Sequence, residues 1–287
     1  MPKDLENPKF ILLNVGYSEL NANWNWKKIY SPFARIYYVS EGDATIYINE
    51  ATYDLKPDHL YLIPPFTLHD DECKSYFSLY YVHFYEDVIN RESMFDKYDF
   101  PIEIRATSLD MMLVRRLWDI NPDRQLRDYD PQLYDNPPTF SQYVADNNKM
   151  SRRSKFETQG ILYQLLSKFY ALVKLKADSK DIRVNNVLKY IHETTENNIT
   201  LTQLADIACV TIDHFIRIFK KEMKCTPLKY INMKKIEKAQ LLLLTTDMPI
   251  REVALELSLD NISYFNRIFK YYTGRTPTEY RKIGNKF

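Results

Sequence analysis

Cysteine is scarce in this chain, with three among 287 residues. Cys73, Cys209 and Cys225 are odd in number and have no C-x-x-C spacing, which argues against a disulfide framework and against a zinc site. Cys209 follows a helical pattern and reads as a core residue. Long hydrophobic runs are also missing. No apolar stretch approaches eighteen residues, so no membrane span is expected. Lys3, Asp4, Glu6 and Lys9 interrupt the N-terminus where a signal peptide needs an apolar core, which points to a cytoplasmic protein. Net charge is nearly absent at +1, but it is unevenly spread. Residues 181–287 carry 17 Lys and Arg against 12 Asp and Glu, a net of +5, which leaves −4 for residues 1–180. A basic tail behind an acidic head fits a polyanionic partner for the tail. With 45% hydrophobic content, the chain can bury two independent cores.

What the chain does have is a repeat. Phe215 to Tyr230 reads FIRIFKKEMKCTPLKY, and fifty residues on Phe265 to Tyr280 reads FNRIFKYYTGRTPTEY. One supersecondary unit has been used twice. Phe215, Ile218 and Phe219 fall at i, i+3 and i+4, the buried stripe of a helix, and Phe265, Ile268 and Phe269 repeat it. Arg217 and Arg267 therefore point outward. Thr226-Pro227 and Thr276-Pro277 each place a capping hydroxyl before a proline at the first helical position. Thr200 to Gln203 reads as a capping box opening a short helix with Leu204, Ala205 and Ala208 inside. Ile250, Val253, Ala254 and Leu257 do the same in the second copy, and the small Ala205 and Ala254 allow the close crossing of a helix-turn-helix. A helical pattern from Leu228 to Leu244, including Tyr230, Ile231, Lys234, Ile236, Ala239, Leu242 and Leu243, joins the copies. At about 1.5 Å per residue it spans roughly 26 Å, which with its flanks can set two helices about one DNA turn apart, roughly 34 Å.

Residues from about 184 to 283 resemble the paired helix-turn-helix DNA-binding domain of the AraC/XylS family of bacterial transcription regulators. The run IREVALELSLDNISYFNRIFKYYTGRTPTEYR, ending at Arg281, carries the resemblance. Family members usually have Gly-Phe where this chain has Ser258-Leu259, in the turn before the second recognition helix. The resemblance implies base-facing positions at Asp213, His214, Ile216 and Arg217 on the first recognition helix, after Thr211 as N-cap. On the second it implies Ile262, Ser263, Asn266 and Arg267. Arg217 and Arg267 suit guanine, Asn266 suits adenine, and Lys220, Lys221 and Lys270 suit phosphates. A lone exposed Arg is usually a solvated charge, but matched Arg and Lys in both copies favour contact. The partner implied is double-stranded DNA read in two adjacent major grooves, with RNA polymerase a further partner open to such a regulator.

In the first third of the chain the hydrophobic period changes to two. Arg35–Val39, Ala44–Ile48, Ala51–Leu55, His59–Ile63 and Tyr76–Phe84 are short aromatic and β-branched runs between turn signals, the pattern of an antiparallel sandwich or barrel. The stretch GDATIYINEATYDLKPDHLYLIPPFTLH resembles the cupin-like sensory domain attached to many AraC-family regulators. Many cupins hold a catalytic metal with three His and one Glu. His69 matches the second cupin motif, but the glutamate position of the first is Arg35 and no His-x-His precedes it. One imidazole beside a fixed cation cannot hold a divalent metal. No metal, cofactor or catalysis is expected. A cation pointing into a barrel mouth suits an anionic or polyhydroxy effector, such as a sugar or other polar metabolite. Arg35, Tyr37, His69, Tyr81 and His83, with Trp24 or Trp26 as a stacking surface, are the expected pocket.

Between the domains, Leu109, Met112, Leu113 and Leu117 make one amphipathic helix. Leu162, Leu165, Leu166, Phe169, Leu172 and Val173 make a longer one that Gly160 approaches. The 3-4 spacing over 155–176 suits either packing onto the barrel or a seam in a homodimer. Residues 121–150, rich in Pro, Asp and Asn, read as a long irregular loop. The expected fold is α+β in two domains: a cupin-like antiparallel β-barrel with packing helices, then an all-α domain with two helix-turn-helix motifs. The first domain takes residues 1–176, with the barrel about 10–105 and helices about 106–176. A linker takes 177–183, and the DNA-binding domain takes 184–287, with its motifs at about 200–221 and 249–271. The expected function is an effector-controlled, sequence-specific transcription regulator. Alternatives are a regulator whose barrel only dimerises, a metal-dependent cupin enzyme, and a DNA-repair methyl acceptor. The last needs an activated cysteine, and Cys73 has no adjacent His, Cys or cluster of Lys to supply that.

Overall fold

The computed structural model describes residues 8–48, 50–87, 93–135, 137–176 and 181–282. The chain divides into two compact units, Met1–Lys174 and Leu175–Phe287. In the first, chain order gives β1 (Lys9–Asn21), β2 (Asn25–Ile29), β3 (Ala34–Gly42), β4 (Ala44–Ile48), β5 (Ala51–Leu55), β6 (His59–Ile63), β7 (His69–Glu72) and β8 (Tyr76–Asp87). Then follow α1 (Met94–Lys97), β9 (Tyr98–Asp99), β10 (Glu103–Arg105), α2 (Ser108–Asp119), α3 (Pro131–Tyr134), α4 (Pro137–Lys149), α5 (Arg152–Tyr170) and β11 (Lys174–Leu175) at the boundary. A five-stranded sheet has the order β1-β8-β3-β6-β10 and a four-stranded sheet the order β2-β7-β4-β5, beside the short pair β9-β11.

Each face of the larger sheet has its own core. Tyr37, Val39, Tyr61, Ile63, Phe77, Leu79 and Tyr81 point inward and pack with Ile46, Ile48 and Leu55 of the smaller sheet. Ile36, Tyr38, Leu60, Leu62, Val82 and Phe84 point the other way and pack beneath α2 and α5. This double burial explains why β3 and β8 read as nearly continuous apolar runs instead of alternating ones. Leu162, Leu165, Leu166 and Phe169 of α5 are buried in that outer core, so these four pack onto the barrel. Gly160, expected at the approach to this helix, lies inside it.

The expected irregular loop at 121–150 is instead half helical, holding α3 and α4. Two of its prolines, Pro131 and Pro137, each take the first position of one of those helices, where the missing N–H costs nothing. Arg124 is buried and donates from Nη1 to the Leu12 carbonyl at 3.2 Å, tying the segment to β1.

The second unit is helical: α6 (Ile182–Glu193), α7 (Leu201–Ile207), α8 (Ile212–Met223), α9 (Pro227–Thr245), α10 (Ile250–Glu256), α11 (Ile262–Thr273) and α12 (Pro277–Lys282). Of the expected linker, residues 177–180 lie outside the described residues, while Asp181 already caps α6 by accepting from the Arg183 N–H. Thr200 and Gln203 form the capping box, and Thr211, Thr226 and Thr276 each accept from the amide three residues on. Among the described residues no helix is long and apolar enough to cross a membrane.

Cys209 departs from expectation. It is exposed, and with φ at 53° it is the left-handed residue that ends α7, as Ser258 with φ at 50° ends α10. Both ends are Schellman motifs. The Val210 N–H donates to the Ala205 carbonyl at 3.1 Å and the Cys209 N–H to Asp206 at 3.0 Å; Leu259 to Ala254 at 2.8 Å and Ser258 to Leu255 at 2.9 Å repeat the pair. The helix-turn-helix geometry is therefore closed twice without the glycine that the left-handed position favours.

Candidate nucleic-acid interface and buried polar cluster

On α8 the core takes Phe215 and Phe219, which leaves Asp213, Arg217, Lys220 and Lys221 exposed and His214 half-exposed. Ile216, expected to face outward, is half-buried and packs against the hydrophobic core of the first repeat, because its position flanks Phe215 and Phe219. The Arg217 guanidinium donates to His214 Nδ1 at 2.7 Å, which holds both side chains together at one end of the helix. Val210, Thr211, Asp213, His214 and Arg217 line an open depression there. On α11, Ile262, Ser263, Arg267 and Lys270 are exposed and Asn266 is half-buried. Arg267 lies over the Tyr264 ring at 5.4 Å. Tyr264 in turn accepts from Asn232 Nδ2 of α9 at 2.8 Å, so the arginine rests on a ring fixed to the joining helix.

The first unit holds a second polar cluster, inside the barrel. Arg35 and His83 are cross-strand partners on β3 and β8, and Tyr37 and Tyr81 are the next inward pair. His69 and Asp71 lie two residues apart on β7, hence on one face of the smaller sheet. All six are buried. Arg35 donates to Ser31 Oγ at 2.7 Å and lies over the Phe33 ring at 4.4 Å. Burial works against its charge, but Tyr134, Tyr37 and Asp135 favour it and the net direction is upward. Burial, helped by Arg35, lowers His69 to about 3 and His83 well below the usual histidine range. Burial lifts Asp71 to about 7 against the pull of Arg35. Near neutral pH the cluster therefore holds one permanent cation, two uncharged imidazoles and a carboxyl whose protonated form burial favours. Arg35 Nε, His69 Nε2, Asp71 Oδ1, both His83 ring nitrogens and Trp26 Nε1 are buried without a hydrogen-bond partner among the described residues.

Trp26 belongs to this group, since its cross-strand partner is Asp71. Trp24 does not. Its ring packs on Phe77 at 4.7 Å, six residues and about 20 Å along β8 from His83. Tyr81 meets His83 at 5.5 Å between ring centres, while its hydroxyl accepts from the Leu126 N–H at 2.8 Å and touches β1 at Gly16. Tyr134, from α3, closes the cluster with its ring 5.5 Å from that of His83.

Comparison with known proteins draws these sites together. An AraC-like ligand binding domain matches residues 16–144, and a helix-turn-helix domain matches residues 204–283. The chain belongs to the AraC/XylS family of transcription regulators. It is 28% identical over 144 residues to the arabinose operon regulatory protein of Salmonella typhimurium, covering 50% of this chain and 51% of that one. It is 32% identical over 100 residues to the bifunctional transcriptional activator/DNA repair enzyme AdaA of Bacillus subtilis, covering 35% and 47%. Among solved structures it is similar to the C-terminal domain of the response regulator yesN from Fusobacterium nucleatum, at 32% identity over 33% of this chain and 93% of that one, with a TM-score of 0.32. The chain thus spans about half the length of the arabinose regulator that it matches.

In this AraC/XylS member Cys73 is buried and burial pushes its thiol pKa up, as it does for half-buried Cys225. An activated nucleophile requires the opposite shift. Sequence reasoning missed Asp71 and Tyr134. Asp71 could have been found from its i, i+2 relation to His69, whereas Tyr134 lies in a segment read as loop and carries no local signal.

Proposed function

We propose that this chain is a sequence-specific DNA-binding transcription regulator controlled by a small polar molecule held inside the N-terminal barrel. The observation that carries the first half is the pair of recognition helices with matched outward cations, Arg217 and Lys220 on α8, Arg267 and Lys270 on α11, joined by one helix of 19 residues. At about 1.5 Å per residue that helix is roughly 28 Å long, a length that supports reading two successive major grooves by one chain. Arg217 and Arg267 would contact guanine, Asn266 adenine, and Lys220, Lys221 and Lys270 phosphates.

The second half rests on the unsatisfied atoms of Arg35, His69, Asp71 and His83. Each such buried group costs about 1–3 kcal/mol, a cost that a bound molecule with several hydroxyl or carboxylate oxygens would remove. Arg35 favours an anionic or polyhydroxy ligand, and the neutral imidazoles add donors or acceptors for hydroxyls. Binding would act as a population shift between arrangements of the regulator that differ in ligand affinity.

Selection of bound duplexes from a random pool by the full-length protein tests the first half. Two enriched blocks about ten base pairs apart, centre to centre, are expected; no enrichment at low or moderate salt overturns it. Calorimetric titration of the wild type and Arg35→Ala against a panel of sugars and sugar acids tests the second. A ligand bound equally by both proteins removes Arg35 from the pocket.

A further inference from the structure

Lys235 is a basic residue buried in the middle of α9, 4% exposed, whereas Lys234 and Lys238 beside it are half-buried and Lys220, Lys221, Lys224, Lys229 and Lys270 are exposed. Its ammonium donates to two main-chain carbonyls, Leu257 at 2.6 Å and Asn197 at 2.9 Å. Leu257 is the residue that caps the C-terminus of α10, immediately before left-handed Ser258 in the turn that launches α11. Asn197 lies between α6 and α7, three residues before the Thr200 cap that opens the first repeat. One charge on the joining helix thus grips the entrance of the first helix-turn-helix and the turn of the second.

A second tie runs beside it. Ser258 Oγ donates to the Glu196 carbonyl at 2.7 Å, and the Glu196 carboxylate pairs with Lys238, one turn further along α9. The segment 196–197 and the turn 257–258 are therefore clamped to each other and to α9 through neighbouring points. Burying an ammonium is costly, and burial lowers the pKa of this one. A methionine would fill the same space without that cost but would take the donor from both carbonyls, of which the Leu257 one is buried. The arrangement gains directional fixing where plain apolar packing would allow the two repeats to rotate about α9.

We infer that Lys235 is a positioning residue that sets the phase between the two recognition helices, and with it the spacing of the two DNA blocks the protein accepts. This rests on the proposed reading of DNA by both repeats. Groove reading tolerates little error: a change of one base pair moves the second block by about 3.4 Å and turns it by about a tenth of the helical repeat. A clamped pair of readers should reject that shift, and a loosened pair should follow it.

The test uses full-length protein and the two-block duplex obtained by selection, remade with the spacer lengthened and shortened by one base pair, plus a duplex with one block only. Affinities are measured by fluorescence anisotropy for the wild type, Lys235→Met, and the double variant Ser258→Ala/Lys238→Ala, with helicity checked by circular dichroism. The wild type should lose about tenfold or more on either altered spacer, a difference of about 1.4 kcal/mol. Lys235→Met should lose affinity chiefly on the preferred spacer, flattening the profile to within about threefold, while its affinity for the single block stays within about twofold. If Lys235→Met does not fold, the double variant, which cuts the parallel tie and leaves Lys235 in place, should flatten the profile in the same sense. A folded Lys235→Met that keeps the wild-type spacer profile, or that weakens equally on every duplex including the single block, overturns the role given to Lys235; a folded double variant that does either overturns the clamping of the two repeats through neighbouring ties. A wild type with no spacer preference overturns the reading by paired repeats itself.

Discussion

Gly16 faces a ring that leaves no room for a methyl group. It is the cross-strand partner of Tyr81, and a Cβ built on it would lie 2.4 Å from the Tyr81 hydroxyl and 2.7 Å from the ring carbon that bears it. Tyr81 is 3% exposed and cannot swing into solvent. Gly16→Ala must therefore displace the ring, at an overpacking cost of about 1–3 kcal/mol. Displacement also removes the acceptor of the Leu126 N–H, worth about 1 kcal/mol. Alanine returns about 0.5–1 kcal/mol through the backbone freedom that glycine loses on folding. The net expectation is destabilisation by roughly 1–3 kcal/mol. All three tryptophans, Trp24, Trp26 and Trp118, lie in the N-terminal unit, so urea unfolding followed by tryptophan fluorescence reports that unit alone. The variant Gly16→Ala/Tyr81→Phe should recover part of the loss, since the hydroxyl contact goes but the ring carbon at 2.7 Å remains. A midpoint for Gly16→Ala equal to or above wild type would refute the reasoning.

Gly160 gives the opposite result for the same substitution: it lies inside α5 with open space around its Cβ, and Gly160→Ala should stabilise by about 0.5–1 kcal/mol in the same urea experiment. Cys209→Gly should relieve a left-handed backbone and stabilise the helical unit by about 1 kcal/mol in thermal melts followed by circular dichroism. Ser258→Gly should gain less, because it also removes the bond to the Glu196 carbonyl. In DNA binding, Arg267→Ala should cost about 1–3 kcal/mol and relax one base position, whereas Lys270→Ala should weaken all sequences alike and reduce the salt slope by about one. For pH, the carboxyl of Asp71 is raised from 3.8 to about 7, so its contribution is full below pH 3.8 and is lost as pH rises through about 7. His69 and His83 are lowered from 6.5 and act oppositely, adding stability as pH rises towards 6.5. Asp71→Asn should therefore steepen the rise in stability of the N-terminal unit between pH 4 and pH 7; an unchanged slope would show that Asp71 does not titrate there.

Much of this is legible in the sequence. The repeat placed α8 and α11, and the Thr-Pro pairs placed α9 and α12, because caps and 3.6-residue periodicity are local signals. Five of the strands were readable for the same reason. Others were not: β7 is His-Asp-Asp-Glu, a strand by virtue of its neighbours only, and β1 interrupts its apolar pattern with Asn14 and Ser18, both buried. Prolines at helix starts made 121–150 look like loop. Cys209 looked like core because nothing in Ala-Cys-Val shows a left-handed residue when glycine is absent. Lys235 sits among other lysines on a helix, and only the fold shows which of them points inward. Arg35, Tyr37, His69 and His83 lie together in the structure, while Trp24 is separated from them by about half the length of β8.

The five-stranded sheet has no side facing water. Arg35 and His83 face one core, while Ala34, Ile36, Val82 and Phe84, their immediate chain neighbours, are set in the other beneath α2 and α5. Interiors packed to this density have little slack. A displacement of Arg35 or His83 inside the barrel has no soft surface into which to dissipate, and the covering helices are one peptide unit away from it. In this domain the floor of the buried polar cluster is also the seat of its outer helices.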